Sequence, residues 1–101
     1  MYKVVGLIKR PPDMEFEAFK RWWLEEHAPR VSRWPGLLKY TVNLCTTPDQ
    51  AYDGMAEVWF GTRADMDAIF ARPEGRGARE RATALASDIA ILLTEEHLIV
   101  D

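Results

Sequence analysis

An α+β fold built on one four-stranded antiparallel sheet is what the sequence predicts, and three observations predict it. Two stretches, "LLKYTVNLC" (37–45) and "MAEVWF" (55–60), alternate their side chains with the period of a strand. Two others, around Phe16–His27 and Met66–Phe70, repeat apolar residues with the period of a helix. The length of 101 residues, with 48% hydrophobic and 29% charged, suits one domain over 1–101 with one modest core and argues against disorder.

In chain order, "YKVVGLIK" (2–9) is rich in β-branched residues and stops at Arg10-Pro11-Pro12, where the prolines cannot donate to a ladder; it reads as a strand buried on both faces. Asp13 is placed to cap a helix running from about Met14 to His27, with Glu15 and Glu17 where the helix dipole favours negative charge. Phe16, Phe19, Trp23 and His27 fall within a sector about 80° wide that faces the core. Pro29 disfavours helical geometry at Ala28, which puts His27 in the last turn, and "PRVSRW" adds a short further turn.

Pro35-Gly36 supplies a turn into the second strand, where Leu38, Tyr40, Val42 and Leu44 share one face and Lys39, Thr41, Asn43 and Cys45 the other. After the polar loop "TTPDQAYDG", the third strand sets Ala56, Val58 and Phe60 opposite Met55, Glu57 and Trp59, and the two strands pair antiparallel. Thr62 with Asp65 resembles a capping arrangement for a helix through "RADMDAIFA". Pro73 and two glycines break that helix, "ARERATALASDIAILL" (78–93) resumes as helix, and "EEHLIV" (95–100) reads as the last strand. The order is β-α-β-β-α-β with an extra helical segment, the ferredoxin-like split arrangement. Helices cover one face of such a sheet, yet both faces are apolar here: Val5 and Leu7 back Val4 and Ile8, and Met55 and Trp59 back Val58 and Phe60. An apolar sheet face left bare marks an interface, so a homodimer packed sheet against sheet is expected.

Several classes are disfavoured. The net charge of -3 is interspersed, and the basic stretch "RPEGRGARERA" (72–82) carries two glutamates and no aromatic, so it reads as a solvated loop and helix start and no nucleic-acid partner is expected. One cysteine, Cys45, excludes an intrachain disulfide or a zinc site with two thiolates and suits a reducing cytosol. The apolar run after Lys3 is far too short for a membrane span of roughly 20 residues, so a cytoplasmic protein without a membrane partner is expected. His27 and His97 lack metal-site spacing and no metal is expected; Ser32 and Ser87 lack a nucleophile elbow, and "GRG" follows no strand.

Taken in order, "LIKRPP", "F..WW...HAP..S..PGL.KY.VN", "YDG.AEVWF" and "TEEHLIV" resemble the EthD family of dimeric α+β barrel proteins over nearly the whole chain. The resemblance implies a homodimer of ferredoxin-like subunits with a small-molecule pocket between helices and sheet. The family is similar to a methylmuconolactone isomerase, whose pocket histidine and tyrosine match His27 and Tyr40. That enzyme's third-strand cysteine is matched by Val58, and its second histidine has no counterpart in "TTPDQAYDG", so the same isomerisation is not implied.

His27 and Tyr40 are thus the candidate catalytic residues. An imidazole titrates near neutrality, and Tyr40 points to the helix side of the sheet, where its hydroxyl can meet His27 or a ligand oxygen. The competing reading of His27 is a core side chain bonded to a backbone carbonyl, made cationic by a helix C-terminus; that of Tyr40 is a hydroxyl satisfying the backbone. Trp23 is a candidate pocket wall, the Trp22–Trp23 pair otherwise reading as core and helix surface. Asn43, Asp53 and Glu57 are candidate ligand-binding residues on or beside the opposite face; the two carboxylates act either as a pair in a cavity or as partners of Lys39 and other basic groups across a dimer.

Three functions follow from these readings. One is a cofactor-independent isomerase or lyase for a hydrophobic oxygenated ring compound, with His27 moving a proton and Tyr40 orienting the substrate. Another is a ligand-binding accessory protein of an oxidative degradation system. The third is a haem-handling monooxygenase with His27 on the iron.

Overall fold

The computed structural model describes residues Met1–Asp101. Strands β1 (Tyr2–Lys9), β2 (Leu37–Leu44), β3 (Gly54–Phe60) and β4 (Asp88–Glu95) form one antiparallel sheet in the order β2-β3-β1-β4, the ferredoxin-like α+β topology. Helices α1 (Phe16–Arg21), α2 (Ala28–Val31), α3 (Arg63–Ala68) and α4 (Pro73–Leu85) pack on one face. None is long and apolar enough to cross a membrane.

Several boundaries differ from the sequence expectation. The first helix begins at Phe16 with Glu15 at its cap position and no side-chain cap bond, so Asp13 is not the cap. It also does not end at His27. Residues Trp22–His27 form a π-helical turn in which the Ala28 N–H donates to the Trp23 carbonyl, five residues back, and α2 continues through Pro29. Proline cannot donate and its ring crowds the carbonyl four residues earlier, and the wider turn absorbs both. In β2 a bulge between Leu37 and Lys39 leaves Leu38 exposed and outside the stripe of Tyr40 and Val42.

The C-terminal third departs furthest from the sequence expectation. Gly75 and Gly77 lie within α4 instead of breaking it, the helix ends at Leu85, and the last strand is Asp88–Glu95 rather than "EEHLIV". Ala86 adopts extended backbone, and the Ser87 N–H and hydroxyl bond the Lys9 and Arg10 carbonyls, which aligns β4 with β1. Gly75 is required because a Cβ there would come within 2.1 Å of the Ile69 carbonyl oxygen, in the 3-10 turn Ile69–Ala71. Gly75→Ala is therefore expected to destabilise the fold by roughly 1–3 kcal/mol, the range for forced overpacking, read from the urea midpoint. The capping expectation at Thr62 holds: its hydroxyl accepts from the Asp65 N–H at 3.1 Å. Thr62→Ala is expected to cost about 1 kcal/mol by the same measurement.

The core falls into two clusters. Val4, Val31, Trp34, Val58, Phe60 and Met66 belong to the first, with Ile69 and Ala78; Ile8, Phe19, Trp23 and Ala82 form the second. Between them on the sheet lie Gly6 and Ala56, which pair across β1 and β3. A Cβ on Gly6 would meet only the Ala56 Cβ, at 3.9 Å. Two small residues side by side on the central strands leave the floor between the clusters low. That gap positions the site.

Candidate functional site

The gap is a cleft between the sheet and α4, with an inner volume of about 50 Å³ and a mouth open to solvent. Its walls are mostly apolar, and its floor includes Gly6 and Ala56. The polar side chains that line it include His27 from the π-helical turn, Tyr40 from β2, Trp34 from the segment between α2 and β2, and Arg79 from α4.

His27 is 7% exposed and its imidazole makes no hydrogen bond; Nδ1 is buried without a partner. Its ring stacks on Trp22 at 4.9 Å and 16° and meets the Trp23 edge at 6.5 Å and 72°. Burial, then the charges of Arg81 and Arg30, lowers its pKa from 6.5 to about 4, so it is a neutral imidazole at pH 7. No backbone carbonyl holds the ring and its cationic form is disfavoured; stacking on Trp22 and Trp23 holds it instead. The C-terminal helix charge that favours a cation is not at His27, because the helix runs on to Val31.

Trp23 is fully buried, and its indole N–H donates to the Tyr40 hydroxyl at 3.3 Å. The Tyr40 hydroxyl thus meets Trp23, not His27; it acts here as acceptor, and its own proton has no acceptor in the fold. Burial raises its pKa, and the Trp23 bond opposes the rise. Trp23 also covers β3 so closely that a Cβ on Gly54 would lie 2.5 Å from its ring. Trp34, a site residue the sequence reading missed, is 7% exposed, packs edge-on against Phe70 at 5.8 Å, and buries its indole N–H without a partner.

The remaining sequence candidates lie elsewhere. Glu57 faces away from the helices and is fully engaged: it pairs with Lys3 at 2.8 Å and accepts from Asn43 at 3.1 Å and Thr41 at 3.3 Å. The Lys3 bond leads in holding the Glu57 carboxyl below the usual range, and Glu57 in turn leads in raising Lys3. Lys3 also bonds Glu96, to which Trp59 donates at 2.9 Å, and Lys39 sits 4.7 Å from the Trp59 ring centre. Asp53 stands at the end of β1, accepting from the Arg10 N–H at 2.8 Å with the guanidinium at 3.5 Å. The two carboxylates share no partner, so they do not form a pair. His97 is exposed and contacts Glu95 at 3.4 Å, away from His27, and no group of three or more His, Cys, Asp and Glu side chains has the geometry of a metal site.

The arrangement offers a neutral imidazole as proton acceptor or hydrogen-bond partner, an indole N–H and a phenol O–H as donors, all in an apolar cleft where such bonds are strong. The inner volume has no room for a porphyrin, so the residues here do not fit a haem.

A family model described as the EthD domain matches residues 11–88. An uncharacterised 11.0 kDa protein of the thcB-thcC intergenic region of Rhodococcus erythropolis is 28% identical over 105 residues, covering 99% of both chains. Among solved structures, an EthD family protein from Bacillus halodurans superposes with a TM-score of 0.83 at 22% identity, over 96% of this chain and 99% of that one. A dimeric protein of ferredoxin-like fold from Bacteroides fragilis superposes with a TM-score of 0.70 at 16% identity, over 94% and 95%.

Proposed function

The chain belongs to the EthD family, and from that premise we propose that its cleft binds a small, oxygenated, largely apolar ring compound, on which it acts as a cofactor-independent isomerase or lyase. One observation carries this reading: His27 and Trp34, which both line the cleft, each bury a ring nitrogen, Nδ1 and Nε1, without a hydrogen-bond partner. A buried polar group left unpaired costs about 1–3 kcal/mol, so two of them around one cleft are accounted for by a ligand that bonds to them. The π-helical turn that carries His27 supports the same reading, since such turns gather at functional sites.

In this reading a ring edge enters the inner volume and Trp34 donates to a ring oxygen. His27, already neutral, takes a proton from the carbon or hydroxyl beside that oxygen, and the Tyr40 O–H donates to the oxyanion that develops. The proton returns to the neighbouring position in an isomerisation, or to a leaving group in an elimination. A second reading, a ligand-binding accessory protein, is favoured by Tyr40 having only an indole N–H as its bonded neighbour. The bare sheet face, where Val5, Leu7, Met55 and Leu92 surround the Lys3–Glu57 pair, is the proposed homodimer interface, in line with the dimeric relative.

The test is a thermal-shift screen of wild type and His27→Gln against phenols, quinones, lactones and aromatic acids. A compound at 100 times its Kd stabilises the fold by about 2.7 kcal/mol. Wild-type shifts that vanish in a folded His27→Gln variant are the expected result; turnover of the same compounds then selects the enzyme reading, and binding without turnover the accessory one. Shifts of equal size in both proteins would remove His27 from the site.

A further inference from the structure

Of the two adjacent tryptophans, Trp23 lines the cleft with His27, and Trp22 does not. Yet Trp22 is the one that lies flat against His27, with ring centres 4.9 Å apart and planes 16° from parallel, whereas Trp23 meets the imidazole edge-on. Helix geometry explains the exchange. At 100° per residue, an α-helix sets residues four apart over one another and turns residues five apart about 140° away, so Trp23 would lie beneath His27 and Trp22 would not. The π-helical turn closes one residue later, as the bond from the Ala28 N–H to the Trp23 carbonyl shows, and this brings position 22 beneath position 27. The turn that accommodates Pro29 is thus also the turn that makes the stack.

A histidine that acts on a ligand is ordinarily held by a hydrogen bond from one ring nitrogen to a carbonyl or carboxylate, which sets its tautomer and its rotation. His27 has no such bond, and its Nδ1 is buried without a partner. Rotation about the last side-chain bond of a histidine is broad and roughly two-fold, so an imidazole with nothing against its face would turn and admit water. Contact with a flat indole supplies the missing restraint. Trp22 is itself anchored, because it also stacks on the fully buried Phe19, at 6.0 Å and 26°.

We infer that Trp22 is a positioning residue that acts through His27: its indole holds the imidazole in one plane and keeps water from it, while His27 presents to the cleft. The assignment rests on His27 acting in the cleft, as proposed above. Trp22 touches no ligand in this arrangement.

An NMR titration of the His27 ring in wild type, Trp22→Phe and Trp22→Leu tests this. Wild type is expected to titrate at about 4. In Trp22→Leu no flat ring covers the imidazole, and the midpoint is expected to rise by about one pH unit or more toward 6.5; Trp22→Phe keeps a ring to stack and is expected to stay near wild type. Arg81 and Arg30 also lower the His27 pKa, and neither substitution removes them, so the rise reports on water. A residue that only fills the core would cost stability on truncation and leave the midpoint in place. Equal midpoints in wild type and Trp22→Leu would therefore overturn the assignment, as would a rise of equal size in both variants. If Trp22→Leu folds poorly, wild-type NOEs between the Trp22 indole protons and His27 Hδ2 or Hε1 decide the contact, and their absence would overturn it. Ligand-induced thermal shifts that survive in His27→Gln would instead remove the cleft reading and leave these midpoints unchanged, which tells the two failures apart.

Discussion

Between pH 6.5 and 4 the protein is expected to lose about 3 kcal/mol of stability through His27 alone, and His27→Gln to lack that loss. The folded-state pKa lies at about 4 against 6.5 for a free imidazole, and at about 1.4 kcal/mol per unit the difference amounts to about 3 kcal/mol. The sign follows from proton binding. Below 6.5 the unfolded chain takes up a proton that the buried ring refuses, so acid favours unfolding, and the loss is complete once the pH has passed through about 4. Glu57, whose pKa is lowered from 4.5, also contributes stability that acid removes, but that loss begins in the carboxylate range, below most of the His27 window. Urea titrations of wild type and variant at intervals from pH 7.5 to 3.5 measure the difference. The same pKa predicts that kcat/KM for a substrate that does not itself titrate is flat from pH 8 down to about 5.5 and falls on the acid side only. A histidine held cationic by a backbone carbonyl at a helix C-terminus would give neither result.

Gly6→Val is expected to abolish ligand binding while leaving the fold at least as stable. Glycine inside a strand costs roughly 0.5–1 kcal/mol, and at Gly6 a new side chain enters open space above Ala56. The added methyl groups occupy the inner 50 Å³ of the cleft. Ligand affinity should drop by more than about a hundredfold, as expected when apolar atoms fill the volume a ring must enter, while the melting temperature holds or rises. Loss of stability together with binding would instead mean that the gap is needed for packing.

The path from sequence to site is uneven, for physical reasons. The stripe Phe16, Phe19, Trp23, His27 was legible because helical periodicity survives a single wide turn: Phe19, Trp23 and His27 are buried as expected. The π turn itself was not, because a proline at position 29 signals a helix end as readily as a widened turn. The alternation in β2 and β3 gave their pairing, whereas β4 was hidden: Ile89, Ile91 and Leu93 share a strand face, but the alanines before them extend a helical pattern past Leu85. Gly6 in the middle of "VVGLI" was the one available sign of a low floor. Trp34 gave none, since an unpaired indole is a property of the surroundings and not of the residue. Glu57 found Lys3, Thr41 and Asn43 through strand register, which fixes neighbours that composition cannot name.

The most direct test of the cleft as a ligand site is an NMR measurement of where benzoate sits, using intermolecular NOEs from its ring protons to the methyl groups of the protein, with the His27 ring nitrogens observed in the same sample. The structure predicts NOEs to Ala56, Ala78 and Ala82 together with a shift of the His27 Nδ1 resonance. NOEs to Leu7, Met55 and Leu92 on the opposite face, with His27 unmoved, would contradict it.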